Sequence, residues 1–266
     1  MSHVVSNDGT SIAYETSGSD STVILVDGAM GYRNHNGTRP LAAVLAHDCT
    51  VVSYDRRGRG ESADTQPYAV EREIDDIDRL IEEIGGPACI YGFSSGAVLA
   101  LRAGSALGPA RVAALVLHEP SIDPDPGSAA EIDRDAETLA NLVAEGRRGD
   151  AVSFFLSDMI PPQVLEQLRQ APDWEPKERV AHTLVYDYAV MGGNTLLAST
   201  AATATMSTLV LVGSESEAFK REGAWALAEA MPRATLRVLD GEMTLVAPEV
   251  LAPVVREFVH ARLAAT

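Results

Sequence analysis

The chain has 266 residues, 46% of them hydrophobic, enough for one large α/β domain that carries an insertion. Its longest apolar runs, such as Ala113 to Leu117 and Leu209 to Val212, fall far short of the roughly 20 residues that cross a bilayer. A formal charge of −17, from 21 Lys and Arg against 38 Asp and Glu, repels phosphate backbones and anionic lipid, so neither nucleic acid nor membrane is an expected partner.

The segment Met1 to Gly9 has neither the basic flank nor the apolar core of a signal peptide, and a cytoplasmic location is expected. Ser11 to Thr16 alternates apolar and polar residues like a half-exposed strand, whereas Thr22 to Val26 is continuously apolar like a strand covered on both faces. A short helix over Leu41 to Ala46 leads to a strand at Thr50 to Tyr54. Val70, Ile74, Ile77, Leu80, Ile81 and Ile84 then recur at the spacing of an amphipathic helix that ends at Gly85-Gly86. The rhythm continues with a strand at Ala88 to Tyr91, a helix after Ser94 and a strand at Val112 to Leu117.

Pro120 and the Pro-rich stretch from Asp123 to Gly127 interrupt the alternation. Helical patterns follow at Ala136 to Gly146, Ala151 to Leu156, Pro162 to Gln170 and Glu178 to Met191. Strands at Thr208 to Gly213 and Ala234 to Leu239 and helices at Gly223 to Met231 and Pro248 to Leu263 complete the chain. Alternating strands and helices imply a parallel sheet covered on both faces, with ligands bound at the carboxyl ends of its strands. Cys49 and Cys89 fall at or inside predicted buried strands, so no disulfide or metal framework and no cofactor is expected.

Three motifs fall at those strand ends. Gly92-Phe93-Ser94-Ser95-Gly96 stands between a strand and a helix, where a serine is held in strained geometry with its hydroxyl exposed. Asp27-Gly28-Ala29 follows the buried strand, where the N–H of Ala29 can converge with that of Ser95 as an oxyanion hole requires. Asp27 adds a carboxylate near that point. Tyr54 to Ser62, Y-D-R-R-G-R-G-E-S, reads as a charged loop that braces the site.

With the G-F-S-S-G elbow, the D-G-A turn, the Y-D-R-R-G-R-G-E-S loop and the Pro-flanked insertion after Leu117-His118-Glu119-Pro120, the chain resembles the α/β-hydrolase superfamily over essentially its whole length. Tyr54 to Gly60, Val116 to Pro120 and Tyr186 to Gly192 further resemble segments of small actinobacterial-type hydrolases. The resemblance implies a mainly parallel central sheet with helices on both faces. Residues 1–122 and 206–266 would form the core, with a helical cap at 123–205 inserted after the sixth core strand.

The family's chain order places an acid after the late core strand and a histidine after the last one. The acid position falls on Ser216 in Gly213-Ser214-Glu215-Ser216, which makes Glu119 the alternative acid. Aligning Gly241 and Pro248 with the family's G-x-x-H-x-V-x-P puts Thr244 at the histidine position, and threonine does not accept a proton near neutral pH. The replaced histidine leaves His118, His182 and Asp27 as candidate bases. Phe154, Phe155, Met159, Trp174, Tyr186, Tyr188 and Met191 are mostly expected to pack the insertion, with two or three touching ligand.

The catalytic candidates are thus Ser94, Glu119 and His118; the oxyanion and substrate-binding candidates are Gly28, Ala29, Ser95, Asp27, His182 and Thr244. The expected function is action on a small apolar ester, lactone or thioester at Ser94. The alternatives are a cyclase, lyase or isomerase that forms no acyl-enzyme, and a ligand-binding pseudo-hydrolase. A small-molecule substrate is the expected partner, with a homodimer left open.

Overall fold

In the computed structural model, residues 1–35, 37–192, 197–241 and 247–263 are described. The strands are β1 (Ser2–Val5), β2 (Ser11–Ser17), β3 (Thr22–Val26), β4 (Thr50–Tyr54), β5 (Ala88–Phe93), β6 (Val112–His118), β7 (Ser207–Gly213) and β8 (Ala234–Leu239). They form one sheet in the order β1-β2-β4-β3-β5-β6-β7-β8. β2 runs antiparallel to both β1 and β4, and every other pairing is parallel.

The core helices are α1 (Arg39–Leu45), α2 (Val70–Glu83) and α3 (Ser95–Leu107). Between β6 and β7 come α4 (Ala129–Ala144), α5 (Arg148–Leu156), α6 (Pro162–Arg169), α7 (Trp174–Val180), α8 (Leu184–Met191) and α9 (Leu197–Thr203). α10 (Ala218–Ala230) follows β7, and α11 (Pro248–Leu263) follows β8. The fold is thus α/β, as the motifs implied, with α4 to α9 lying between β6 and β7.

Strand periodicity divides the core into two apolar layers. Ile24, Val26, Val52, Ile90, Leu115, Leu117 and Val210 pack with α2, α3 and α10 on one face. Val23, Leu25, Val51, Cys89, Tyr91, Ala114, Val116 and Leu211 pack with α1 and α11 on the other. The central strands are continuously apolar because both of their faces are covered. Ile77, Leu80 and Ile81 of α2 are fully buried, each stabilising by about 1.5–3 kcal/mol relative to exposure.

β4 and β5 flank β3 on opposite sides, and the chain passes from β3 to α1 on one face but from β5 to α3 on the other. The two connections therefore part above the β3–β5 pair, leaving a crevice at the carboxyl ends of these strands.

Three elements differ from the sequence expectation. β1 is a four-residue edge strand with one buried side chain, too short to register as a period-2 pattern. The single helix read over Glu178 to Met191 is two helices, separated by a 3-10 turn at Ala181–Thr183, where the Thr183 hydroxyl bonds to the Val180 carbonyl at 2.7 Å. α9 had no sequence signal strong enough to mark it.

Candidate active site

Ser94 adopts φ 55° and ψ −122° between the end of β5 and the first residue of α3. A non-glycine residue there carries about 1–3 kcal/mol of strain, which the surroundings must hold in place. The Ser94 N–H donates to the His118 carbonyl at 3.0 Å, and the Ser94 carbonyl accepts from the Ala97 N–H at 3.0 Å. The flanking glycines are a packing requirement: a Cβ on Gly92 would strike the backbone of Gly96 and Ala97, and one on Gly96 would strike the carbonyls of Val26 and Asp27. The half-buried Ser94 side chain has its Oγ 3.5 Å from Ser121 Oγ.

Val26 pairs with Gly92, so the connections after β3 and β5 leave the sheet at the same level. Gly28 lies so close to the elbow that an added Cβ would sit 3.1 Å from Ser94 Cβ and 3.0 Å from the Phe93 carbonyl. Ala29 follows it. Ser95 opens α3, where an N–H has no acceptor within its own helix and meets the positive end of the helix dipole. The backbone after β3 thus closely approaches Ser94 at the start of α3, and N–H groups at such a place can stabilise negative charge developing on a carbonyl oxygen.

The loop after β4 supports both segments. Arg59 Nη1 donates to the carbonyls of Gly28 and Gly31 at 2.5 and 3.2 Å, its Nε to Thr183 Oγ1 at 3.0 Å and its Nη2 to Asp187 at 2.7 Å. Arg56 forms a two-pronged pair with Glu73, both bonds 2.8 Å, and donates to Asp187 at 2.7 Å and to the Asp27 carbonyl at 3.3 Å. Ser95 Oγ donates to Asp187 at 2.8 Å. Arg56, Arg59, Glu73 and Asp187 are all at most 1% exposed, two cations matched by two anions. Burial alone would raise the Asp187 and Glu73 carboxyls, but the guanidiniums outweigh it and hold both below the usual carboxylate range.

Glu119 directly follows β6 at φ 49° and is 1% exposed. Its Oε1 accepts from the Gly213 N–H at 2.9 Å and from Ser216 Oγ at 2.6 Å. Its buried Oε2 has no hydrogen-bond partner among the described residues, with Lys220 Nζ 4.0 Å away. Ser216, at the position where the family order puts an acid, therefore binds the acid that arrives from β6.

The three candidate bases make other contacts than with Ser94. His118 pairs with Phe93 in register and lies on the α1 and α11 face of the sheet, its Nδ1 hydrogen-bonded to the Tyr91 hydroxyl. The Asp27 carboxylate accepts from the Thr38 N–H at 2.6 Å and braces the connection after β3; burial pushes its carboxyl up to about 6. His182 lies 3.5 Å from Asp64, edge-on to Tyr186, and burial lowers its basicity. The Thr244 position lies outside the described residues. Among the described residues, no group of three His, Cys, Asp or Glu side chains could hold a metal ion, and no helix is long and apolar enough to cross a membrane.

Reasoning from the sequence missed Ser121 and Asp187. Asp187 did leave a signal, an acid within the otherwise apolar Leu184–Met191 helix, while two arginines of the Y-D-R-R-G-R-G loop needed buried partners. Ala29, Met30 and Tyr32 belong to one apolar cluster with Leu142, Phe154, Phe155 and Tyr188 of the segment between β6 and β7.

Among solved structures, an alpha/beta hydrolase from Sphaerobacter thermophilus is similar over 97% of this chain and 99% of its own, with 44% identity and a TM-score of 0.86. The uncharacterized hydrolase YraK of Bacillus subtilis is 37% identical over 116 residues, 42% of each chain. The proline iminopeptidase PfmaB of Pestalotiopsis fici is 33% identical over 105 residues, 38% of this chain and 37% of its own. The match thus spans about two fifths of the length of these two curated relatives. Residues 23–254 match the model of the alpha/beta hydrolase family, and the chain belongs to that family.

Proposed function

We propose that this protein hydrolyses a small apolar carbonyl compound, an ester, lactone or thioester, with Ser94 meeting the carbonyl carbon. The observation that carries this reading is the strained Ser94 elbow with Gly28 packed closely against it, since such strain persists only where the surroundings enforce it. The carbonyl oxygen would point at the N–H groups of Ala29 and Ser95, and the attacking Oγ would form the acyl bond as its proton passes to the departing alcohol, thiol or lactone oxygen. Water would then release the acid. The apolar cluster that joins Ala29 to Phe154, Phe155 and Tyr188 supports an uncharged, apolar acyl or alcohol group in this reading. The hydrolase and proline iminopeptidase names of two partial relatives support a hydrolytic reading.

Glu119 is the acid in this reading, and the family's base position holds Thr244, so acylation would proceed slowly. A second reading draws on the Ser94 hydroxyl itself, whose partner among the described residues is another hydroxyl, Ser121, rather than a base. In that reading the two N–H groups polarise a carbonyl for a cyclase, lyase or isomerase step and no acyl-enzyme forms.

Intact-mass measurement after exposure to a fluorophosphonate, for wild type and Ser94→Ala, combined with turnover of short esters, thioesters and lactones, tests the proposal. Hydrolysis requires an adduct on wild type only and loss of turnover in Ser94→Ala. Turnover retained in Ser94→Ala overturns it in favour of the second reading.

A further inference from the structure

We propose that Asp187 is a positioning residue that sets both backbone donors flanking Ser94 and so makes their geometry depend on the helical insertion. The inference rests on the hydrolase reading for its catalytic consequence but on hydrogen bonding for its geometry. The first link is the planarity of the peptide bond: the Gly28 carbonyl and the Ala29 N–H belong to one trans unit and point in opposite directions. Arg59 Nη1, bound to that carbonyl at 2.5 Å and to the Gly31 carbonyl at 3.2 Å, therefore sets where the Ala29 N–H points.

The second link is on the other donor. Ser95 belongs to the peptide whose carbonyl, that of Ser94, is turned into the helix toward the Ala97 N–H, so the Ser95 N–H points out of the helix end. The Ser95 side chain is tied to Asp187 Oδ1 at 2.8 Å. Asp187 Oδ2 holds Arg59 Nη2 at 2.7 Å, so one carboxylate joins the side chain of one donor residue to the cation that aims the other.

The third link is origin. Asp187 is 0% exposed and stands on α8, within the insertion, whereas Arg59 and Ser95 belong to the core. Arg56 holds the shared oxygen Oδ1 at 2.7 Å from a third direction, and its own second anion, Glu73, fixes it to α2. Moving α8 would consequently move both donors together. A cluster serving only to bury charge would not need a carboxylate that binds the hydroxyl next to the candidate nucleophile.

Ser95→Ala, Arg59→Lys and Asp187→Asn test the proposal, with the amide resonances of Ala29 and Ser95 and the steady-state constants as readouts. Ser95→Ala removes the hydroxyl tie alone and keeps the buried ion pairs, so it reports even if Asp187→Asn fails to fold. The expected result is that Asp187→Asn or, failing that, Arg59→Lys displaces the amide resonances of Ala29 and Ser95, and that Ser95→Ala displaces that of Ala29. Catalytically, kcat falls about tenfold or more with KM little changed, because one backbone donor is commonly worth about 10²–10³ in kcat.

Unmoved amides overturn the coupling whatever the activity. Moved amides with kcat unchanged overturn the positioning role and leave a structural cluster. A wild type with no turnover and no fluorophosphonate adduct defeats the hydrolase reading instead, and the amide resonances alone then decide the coupling.

Discussion

Glu119 accepts a hydrogen bond from the Ser216 hydroxyl at 2.6 Å, so a carboxylate reaches from the end of β6 to the place beside β7 where the family's chain order expects an acid. With Oε1 held by Ser216 and the Gly213 N–H, the buried Oε2 is left as an acceptor. That is what the acid of a serine triad presents to the ring N–H of its histidine. Thr244→His should therefore raise kcat/KM on a short nitrophenyl ester by at least about tenfold, since a positioned general base contributes about 10²–10⁴. The gain should vanish when Glu119→Gln is added. A Thr244→His protein no faster than wild type, or a gain that survives Glu119→Gln, would remove Glu119 from the acid role.

Gly28 tests the closeness of the two strand ends. Its backbone has an ordinary φ, so alanine is conformationally allowed, but the new methyl would press on the Phe93 carbonyl and Ser94 Cβ. Gly28→Ala is expected to lower stability by about 1 kcal/mol through crowding and kcat/KM by about tenfold through displacement of Ser94. Urea unfolding and ester kinetics on the same preparation separate the two effects. Unchanged kinetics would mean that the crevice is looser than these contacts imply.

The turn at Ser94 and the end of β3 were legible because each rests on local geometry: Gly92 and Gly96 are required by backbone atoms nearby, and the apolar run of β3 is long enough to announce a covered strand. The side to which His118 points was not legible. It depends on the pairing of His118 with Phe93, and the β5–β6 register shifts between Ala88 and Cys89, which no local pattern reveals. The Arg56–Asp187 pair joins residues 131 positions apart, so the arginines read only as a charged loop until the chain was folded.

Arg57 braces the core through contacts separate from the site. It meets Asp76 with two bonds of 2.8 Å and Asp8 with a third, and burial alone would lower its basicity had the two carboxylates not raised it. Arg57→Met would strand the Asp76 carboxylate, which is 1% exposed, and is expected to cost about 3–5 kcal/mol. Adding Asp76→Asn should recover a large part of that loss, because the stranded charge is removed. A urea double-mutant cycle reads the coupling; additive losses would show that the pair contributes through packing alone.

Asp27 gives a test in pH. Burial, opposed by the Thr38 N–H and by Arg59 and Arg56, raises its carboxyl from 3.8 to about 6. Between those values the folded protein binds more protons than the unfolded chain, so stability falls as pH rises through the window. The penalty is absent below about 3.8 and complete above about 6. Asp27→Asn keeps an oxygen for the Thr38 N–H and carries no charge. It should therefore gain on wild type between pH 4.5 and pH 7 by roughly 2 kcal/mol, the part of that linkage that falls above pH 4.5. Asp76, raised to about 6 mainly by burial, is present in both proteins and cancels in the difference. Urea unfolding of the pair across this range decides the matter, and parallel pH profiles would show that Asp27 titrates alike in the folded and unfolded chains.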